Sequence, residues 1–361
     1  MSNTPKTYEL RSDTLTAKFT SHGATLTHLL ITDAHGVRRD IVLGFDSPEE
    51  YVKAGRGSNP YFGATAGRVC NRITKGTFQL NGQQYQVPVN NGPNSLHGGV
   101  NGFDKRQWVG EQITASELRF TYTAQDGEEG YPGVLDVTAT YRLDGGDLHI
   151  DYEARLNDAA NPPDMQTLVN MTNHTYFNLT GLAEPTIVDH VFETTAKNML
   201  ELTETQVPTG KVLPTAHTAF DFSARKTFAP GLEPHHEHVK QFKGYDHFFV
   251  IHDDSARSPA SGVLPPSVAK MSAPSTGISL TLATTARGYQ LYTGNFLLGD
   301  FTAKASSQPH GVVYGKHAGV CLETSGWVDA LSHDAWRKDV VIGKRDVWQQ
   351  STLYRFAVAS T

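Results

Sequence analysis

A two-residue rhythm constrains this chain more than any other feature. In VLDVTATYRLDGGDLHIDYEARL, Leu135, Val137, Ala139 and Tyr141 alternate with Asp136, Thr138, Thr140 and Arg142. Beyond the DGGD turn, Leu148, Ile150, Tyr152 and Ala154 alternate with His149, Asp151, Glu153 and Arg155. Successive side chains of a strand point to opposite faces, so the pattern predicts a hairpin with one face in a core and one in water. GTFQLNGQQYQV predicts a second hairpin, with Asn81-Gly82 supplying the positive φ angles of a tight turn. Short runs of the same kind recur in LRFTYTA, GISLTLATT, YQLYTGNF, GVCLET and STLYRFAV. Only SPEEYVKA and DALSHDAWRK offer short amphipathic helices. Many short strands separated by turn residues predict an all-β sandwich or barrel. No Pro/Gly-rich linker divides the chain, which predicts a single domain over residues 1–361. The Ser/Pro/Ala-rich stretch at about 253–276 reads as a surface insertion between strands.

Composition narrows the partners. A hydrophobic content of 38% supports a large core, and the net charge of -6 offers no basic face to nucleic acid or an anionic membrane. No run approaches the ~18 apolar residues that cross a bilayer, and MSNTPKTYELRSDTLTAKF lacks the apolar core of a signal peptide. Cys70 and Cys321 are too few for a disulfide framework. These features predict a cytoplasmic protein. Asn170, Asn173 and Asn178 each head an N-x-T pattern, but three overlapping acceptors in one apolar-aromatic run read as accidental.

Five stretches carry ionisable groups inside apolar or Gly/Asn-rich sequence: GRVCNRI, NSLHGG, TNHTYFNL, GYDHFFV and VCLETSGW. If GRVCNRI is extended, Arg68, Cys70 and Arg72 share a face, either as a surface strand or as an Arg fork for sugar hydroxyls or a carboxylate. His97, against Gly98 and Gly99, is either a turn histidine or a group brought close to a ligand. In TNHTYFNL, His174 alternates with Thr172, Tyr176 and Asn178. Such a polar-aromatic stripe suits a cleft wall that binds a polyol. Asp246 leads into an aromatic strand. Glu323 sits in an apolar strand with no Lys or Arg nearby in sequence, so desolvation should raise its pKa and suit it to general base work. EPHHEHVK gathers His235, His236 and His238, yet its polar flanks favour a solvated loop over a metal site. Cys321 reads as a buried core thiol.

Taken in order, NRI, GTFQLNG, NSLHGG…GFDKRQW, NHTYFNLTG, YDHFFV, QLYTGNF and CLET resemble the aldose 1-epimerases, from about Ser21 to the C-terminus. The resemblance implies a large antiparallel β-sandwich holding a free sugar in an open cleft, with no cofactor and no metal. It also implies interconversion of the α and β anomers of aldohexoses such as D-galactose and D-glucose. Matched residue by residue, Glu323 corresponds to the general base, His174 to the general acid and His97 to a second active-site histidine. Asn71, Arg72, Tyr176, Asp246 and Gln290 correspond to substrate-binding positions. After CLET the chain departs from the family pattern, with Ser325 in place of Gln and Val328 in place of Pro.

Anomer exchange itself demands such groups. The C1 hydroxyl must lose a proton while the ring oxygen gains one; the ring opens, C1 turns, and closure follows on the other face. A carboxylate and an imidazole on opposite sides of the ring, with pKa values near working pH, can carry both protons. Two other readings keep the fold. A hexose 6-phosphate epimerase would need a cationic cluster, and only Arg72 is found among the matched motifs. A non-catalytic carbohydrate-binding protein would have no need of the retained Glu323, His174 and His97. The expected partner is a free monosaccharide, with neither nucleic acid nor membrane, and the expected assembly is a monomer or homodimer.

Overall fold

The computed structural model describes residues 4–55, 60–232, 239–252 and 264–359. Two large antiparallel sheets dominate, one nine-stranded and one six-stranded. The predicted long hairpin forms the middle of the larger sheet: Leu135–Asp144 pairs with Asp147–Leu156 over its whole length. Its apolar set is buried and its polar set half-buried or, at Arg155, exposed, as the alternation requires. The C-terminal strand Trp348–Val358 adds to this hairpin and joins it to Ile278–Thr284. The second hairpin, Thr77–Leu80 with Gln83–Gln86, turns through Asn81 and Gly82 at positive φ.

The smaller sheet runs Tyr176–Phe177, Val320–Ser325, Gly288–Tyr292, Asp246–Val250, Asn198–Leu202 and Pro208–Pro214. One of its faces carries Phe177, Val320, Leu322, Tyr289, Leu291 and Phe249. These pack into the same core as Val137, Ile150, Leu280 and Phe356 of the larger sheet. The two sheets therefore form a β-sandwich with a shared apolar interior.

One helix expectation holds and two other expectations are corrected. SPEEYVKA does form a helix, Pro48–Ala54, with a Ser47/Glu50 capping box. DALSHDAWRK instead breaks into two 3₁₀ turns, Ala330–Ser332 and Arg337–Asp339, because Trp336 and Ala330 are drawn into a local core with Trp327 and Val340. The supposed insertion at 253–276 reaches too far: Ala269–Ala273 is a strand of the larger sheet, its Ala269, Met271 and Ala273 facing the core, and 253–263 lie outside the described residues. Asn170, Asn173 and Asn178 are buried, and each side chain hydrogen-bonds backbone, so they are structural amides. Among the described residues no helix is long and apolar enough to cross a membrane.

One buried ion pair fastens the N-terminal strands to the connection between two strands of the smaller sheet, Gly288–Tyr292 and Val320–Ser325. Lys304 Nζ lies 2.7 Å from Asp40 Oδ2, with both side chains fully buried. Lys304 also donates to the Thr27 carbonyl, and Asp40 accepts from the Leu29 N–H and the Ser307 hydroxyl. Removing one partner strands the other charge in the interior. Lys304→Met should lower unfolding free energy in urea by about 3–5 kcal/mol, and adding Asp40→Asn should restore part of it. A loss under about 1 kcal/mol for the single variant would show that the pair is not buried as described.

Candidate active site

The smaller sheet has a second face, and it forms the floor of a cleft. Because strand neighbours alternate, each core residue is followed by a cleft residue. Val320 and Leu322 point to the core while Cys321 and Glu323 point away; Tyr289 and Leu291 point to the core while Gln290 and Tyr292 point away. Antiparallel register then aligns the second set across strands. Gln290 stands opposite Glu323, Tyr292 opposite Cys321 and Asp246, and Tyr176 opposite Cys321.

The wall comes from two zipped segments. Arg72 pairs with Leu96, and the His97 N–H donates to the Asn71 carbonyl at 3.0 Å. His174 lies between two short strands, Thr172–Asn173 and Tyr176–Phe177, which belong to different sheets. Asn71, Arg72, His97, His174, Tyr176, Asp246, Gln290 and Glu323 all line this one cleft of about 630 Å³, the size of a small-molecule site.

At its centre His174 Nε2 lies 3.6 Å from Glu323 Oε1. Burial pushes the Glu323 carboxyl well above its usual range; nearby Asp246 adds to the rise and Arg72 opposes it. Burial pulls His174 down to about 4. Both shifts favour the uncharged partners, so the pair is better described as one shared proton than as a fixed salt bridge. On its other edge His174 Nδ1 meets the Cys321 thiol at 3.6 Å. The ring stacks between Tyr61 and Tyr176, at 5.6 and 5.0 Å.

His97 packs edge-on to His174 at 5.1 Å. Its Nδ1 accepts the Asn71 N–H at 3.3 Å, which leaves the proton on Nε2 when the ring is neutral. Burial, with His174, Arg72 and Lys105 nearby, holds its pKa well below the ordinary histidine value. Beyond the histidines runs an amide chain. Asn71 donates to Gln290 at 3.2 Å, and Gln290 donates to Asp246 at 2.6 Å. Gln206 donates to the other Asp246 oxygen at 2.6 Å and accepts from Arg72, also at 2.6 Å. Burial raises the Asp246 pKa, while Arg72 and the two amides oppose the rise.

Several sequence expectations change here. Arg68 does not join Arg72: positive φ at Asn71 breaks the extended run, and Arg68 donates instead to the Pro132 and Gly133 carbonyls in the interior. Of the stripe Thr172, His174, Tyr176 and Asn178, only His174 and Tyr176 reach the cleft, because the strand is interrupted between them. Gly98 and Gly99 do not clear space for a ligand. A Cβ on Gly98 would strike the Gly67 carbonyl, and one on Gly99 the Glu129 carboxylate, so both glycines serve loop packing. Ser325 and Val328 are buried outside the cleft, Val328 in the core around Trp327. The HHEH cluster, His235, His236 and His238, lies outside the described residues. Tyr61, Asn91 and Gln206 line the cleft unforeseen, since single polar or aromatic residues in loops carry no local signal of their destination; Tyr292 joins them from the end of the strand Gly288–Tyr292.

His97, His174 and Glu323 offer three ligand atoms within 4.8 Å of one another, a spacing that a cation could use. The Asn71 N–H works against it, since it keeps the lone pair of His97 on Nδ1 and the proton on the free edge. Organic acid–base chemistry suits this arrangement better.

The sequence matches the aldose 1-epimerase family over residues 6–355. Galactose mutarotase from Homo sapiens is 40% identical over 358 residues, covering 99% of this chain and 95% of that protein. Aldose 1-epimerase from Escherichia coli is 32% identical over 336 residues, covering 92% and 90%. Among solved structures, an aldose epimerase homologue from C. elegans superposes with a TM-score of 0.84 at 28% identity, covering 99% of this chain and 100% of that one. Galactose 1-epimerase from Lactobacillus acidophilus superposes at 0.76 with 26% identity, covering 98% and 99%. This chain belongs to the aldose 1-epimerase family.

Proposed function

We propose that the protein is an aldose 1-epimerase that interconverts the α and β anomers of free aldohexoses such as D-galactose and D-glucose. The buried His174–Glu323 pair at 3.6 Å on the cleft floor carries this reading. Both reacting oxygens of a cyclic aldose are bonded to C1, so adjacent acid and base groups can serve both, and the expected placement on opposite sides of the ring gives way to a pair 3.6 Å apart.

The active pair holds one proton. Glu323, as carboxylate, takes the proton of the C1 hydroxyl while His174, as imidazolium, gives its proton to the ring oxygen. The C1–ring-oxygen bond breaks, the C1 carbonyl forms, and the proton has moved from His174 to Glu323 through the sugar. Rotation about C1–C2 exposes the other carbonyl face. Closure runs the transfers backwards and restores the pair. A raised carboxyl pKa and a lowered imidazole pKa remove the usual preference for the ion pair, so that the uncharged pair formed on ring opening is favoured rather than costly. His97, with its proton on Nε2, acts as a neutral hydrogen-bond donor to the substrate. Asn71, Arg72, Asp246 and Gln290 hold the remaining hydroxyls, and Tyr176 flanks the imidazole.

Charge supports a neutral sugar over a sugar phosphate. Among the described residues, Arg72 and Lys105 are the cations lining the cleft, and they are opposed by Asp246, Asp300 and Glu323. Lys105 is already paired with Asp104 at 2.8 Å. All these groups come from one copy of the chain, so the chemistry needs no second subunit. Cytoplasmic residence is part of the same proposal, supported by two buried, unbridged thiols.

Polarimetry of freshly dissolved α-D-glucose and α-D-galactose tests the reading. Glu323→Gln and His174→Asn should each slow equilibration by at least about a hundredfold. Equal acceleration by Glu323→Gln and the wild type would remove Glu323 from the chemistry. The pH profile is a second check. The singly protonated pair is lost on the acid side when a second proton binds, His174 being held at about 4, and on the alkaline side when Glu323 loses its raised proton. The expected kcat/KM profile is therefore a bell whose acid limb lies below the ordinary histidine pKa. An acid limb at that ordinary value would contradict a desolvated His174.

A further inference from the structure

We propose that Gln206 determines how the cleft reads its sugar, by standing between Arg72 and Asp246 and keeping both available for hydroxyl groups. The inference rests on the sugar-binding reading above. Gln206 sits in the hairpin turn between Asn198–Leu202 and Pro208–Pro214, at a positive φ of 62 that is rare outside glycine. The turn is pinned: Thr203 exchanges backbone hydrogen bonds with Val207 and Gln206, and Asn94 donates to the Thr205 carbonyl at 3.0 Å. Pinning directs one neutral side chain at two charged ones. The amide oxygen accepts from Arg72 Nη2, and the amide nitrogen donates to Asp246 Oδ2, both at 2.6 Å.

Arg72 and Asp246 are almost fully buried and of opposite sign. Left to themselves, such groups close into a direct bidentate pair, which is strong and uses up the donors and acceptors on the facing edges. The interposed amide prevents this. Arg72 is oriented by two amide oxygens, of Asn91 and Gln206, and Asp246 by two amide nitrogens, of Gln290 and Gln206. The remaining N–H bonds of Arg72 have no protein acceptor among the described residues, and each Asp246 oxygen retains a lone pair. A guanidinium donor and a carboxylate acceptor held a fixed distance apart match a pair of sugar hydroxyls, one accepting and one donating. Gln206 touches neither His174 nor Glu323 by hydrogen bond, so its effect falls on binding rather than on proton transfer.

The experiment compares wild type, Gln206→Leu and Gln206→Glu on D-galactose and D-glucose and on their monodeoxy analogues that keep C1 and the ring oxygen intact. Gln206→Leu should raise KM about tenfold or more with kcat within about twofold, the loss expected when a charge-assisted contact is withdrawn. At least one deoxy analogue should cost the wild type about tenfold in KM and cost Gln206→Leu less than about threefold, because that hydroxyl is no longer read. Gln206→Glu keeps the acceptor toward Arg72 and loses the donor toward Asp246. Its KM should rise near neutrality and recover as pH falls through the carboxyl range, where protonation restores a donor. An unchanged KM in Gln206→Leu, or a deoxy series that affects both proteins equally, overturns the proposal. So does a fall in kcat with unchanged KM. If Gln206→Leu loses its fold by thermal denaturation, the Gln206→Glu pH response decides alone, and a KM that does not recover overturns the proposal. A wild type that accelerates no anomer exchange would instead count against the enzymatic reading, leaving the effect of Gln206 on binding to be read by calorimetric titration of the same sugars.

Discussion

The proposed function depends on four strands of the smaller sheet, Tyr176–Phe177, Val320–Ser325, Gly288–Tyr292 and Asp246–Val250, that are buried on both faces. These strands press one side against the larger sheet, while the other side lies partly under two smaller apolar clusters and partly on the cleft. A strand gives alternate residues to opposite faces, so the same short segments must supply both core and site. Leu322 and Glu323 are chain neighbours with opposite destinations, as are Leu291 and Gln290. The core residues hold the strands in register, and register brings Glu323, Gln290, Tyr292 and Asp246 side by side. A slip of one residue would send the carboxylate into the apolar interior.

Burial on that floor is also what tunes the chemistry. Glu323, His174 and Asp246 lose most of their water, and desolvation is the leading cause of each shift. The same effect that would make isolated charges costly makes a carboxyl and an imidazole close competitors for one proton. Hydrogen bonds then sort the groups by task. Asp246 is held by two amides, His97 by the Asn71 N–H, and His174 by a thiol on its far edge. Such an amide-rich surround fixes positions without adding charge that would upset the proton balance of the pair.

The wall opposite the floor is made of loops, and loops need other anchors. Close backbone contact at Gly98 keeps the His97 loop against the Gly67 carbonyl. The Lys304–Asp40 pair fastens the segment just after Leu298, Asp300 and Phe301, which line the cleft, to the N-terminal strands. Contacts outside the acid–base pair thus anchor the segments that line the cleft.

Much of this was legible in one dimension. Period-two alternation determined strands, hairpins and an all-β architecture, because the pleat of a strand is a local property that side-chain order records directly. Asn81-Gly82 determined a turn for the same reason. Glu323 was recognisable as a carboxylate in an apolar strand, and motif order pointed to His97, His174, Asn71, Arg72, Tyr176, Asp246 and Gln290, which line one cleft with it. What the tertiary structure decided was convergence and direction. It separated Arg68 from Arg72 through one positive φ at Asn71, divided the TNHTYFNL stripe between two sheets, and turned part of a Ser/Pro-rich stretch into a core strand. It also brought Gln206 and Tyr61 to the cleft, although nothing around them in sequence marks a site. The division has one physical cause. Alternation and turn chemistry are set by neighbours along the chain, whereas distances such as that between His174 and Glu323 depend on strand register and sheet packing, which residues far apart in sequence settle together.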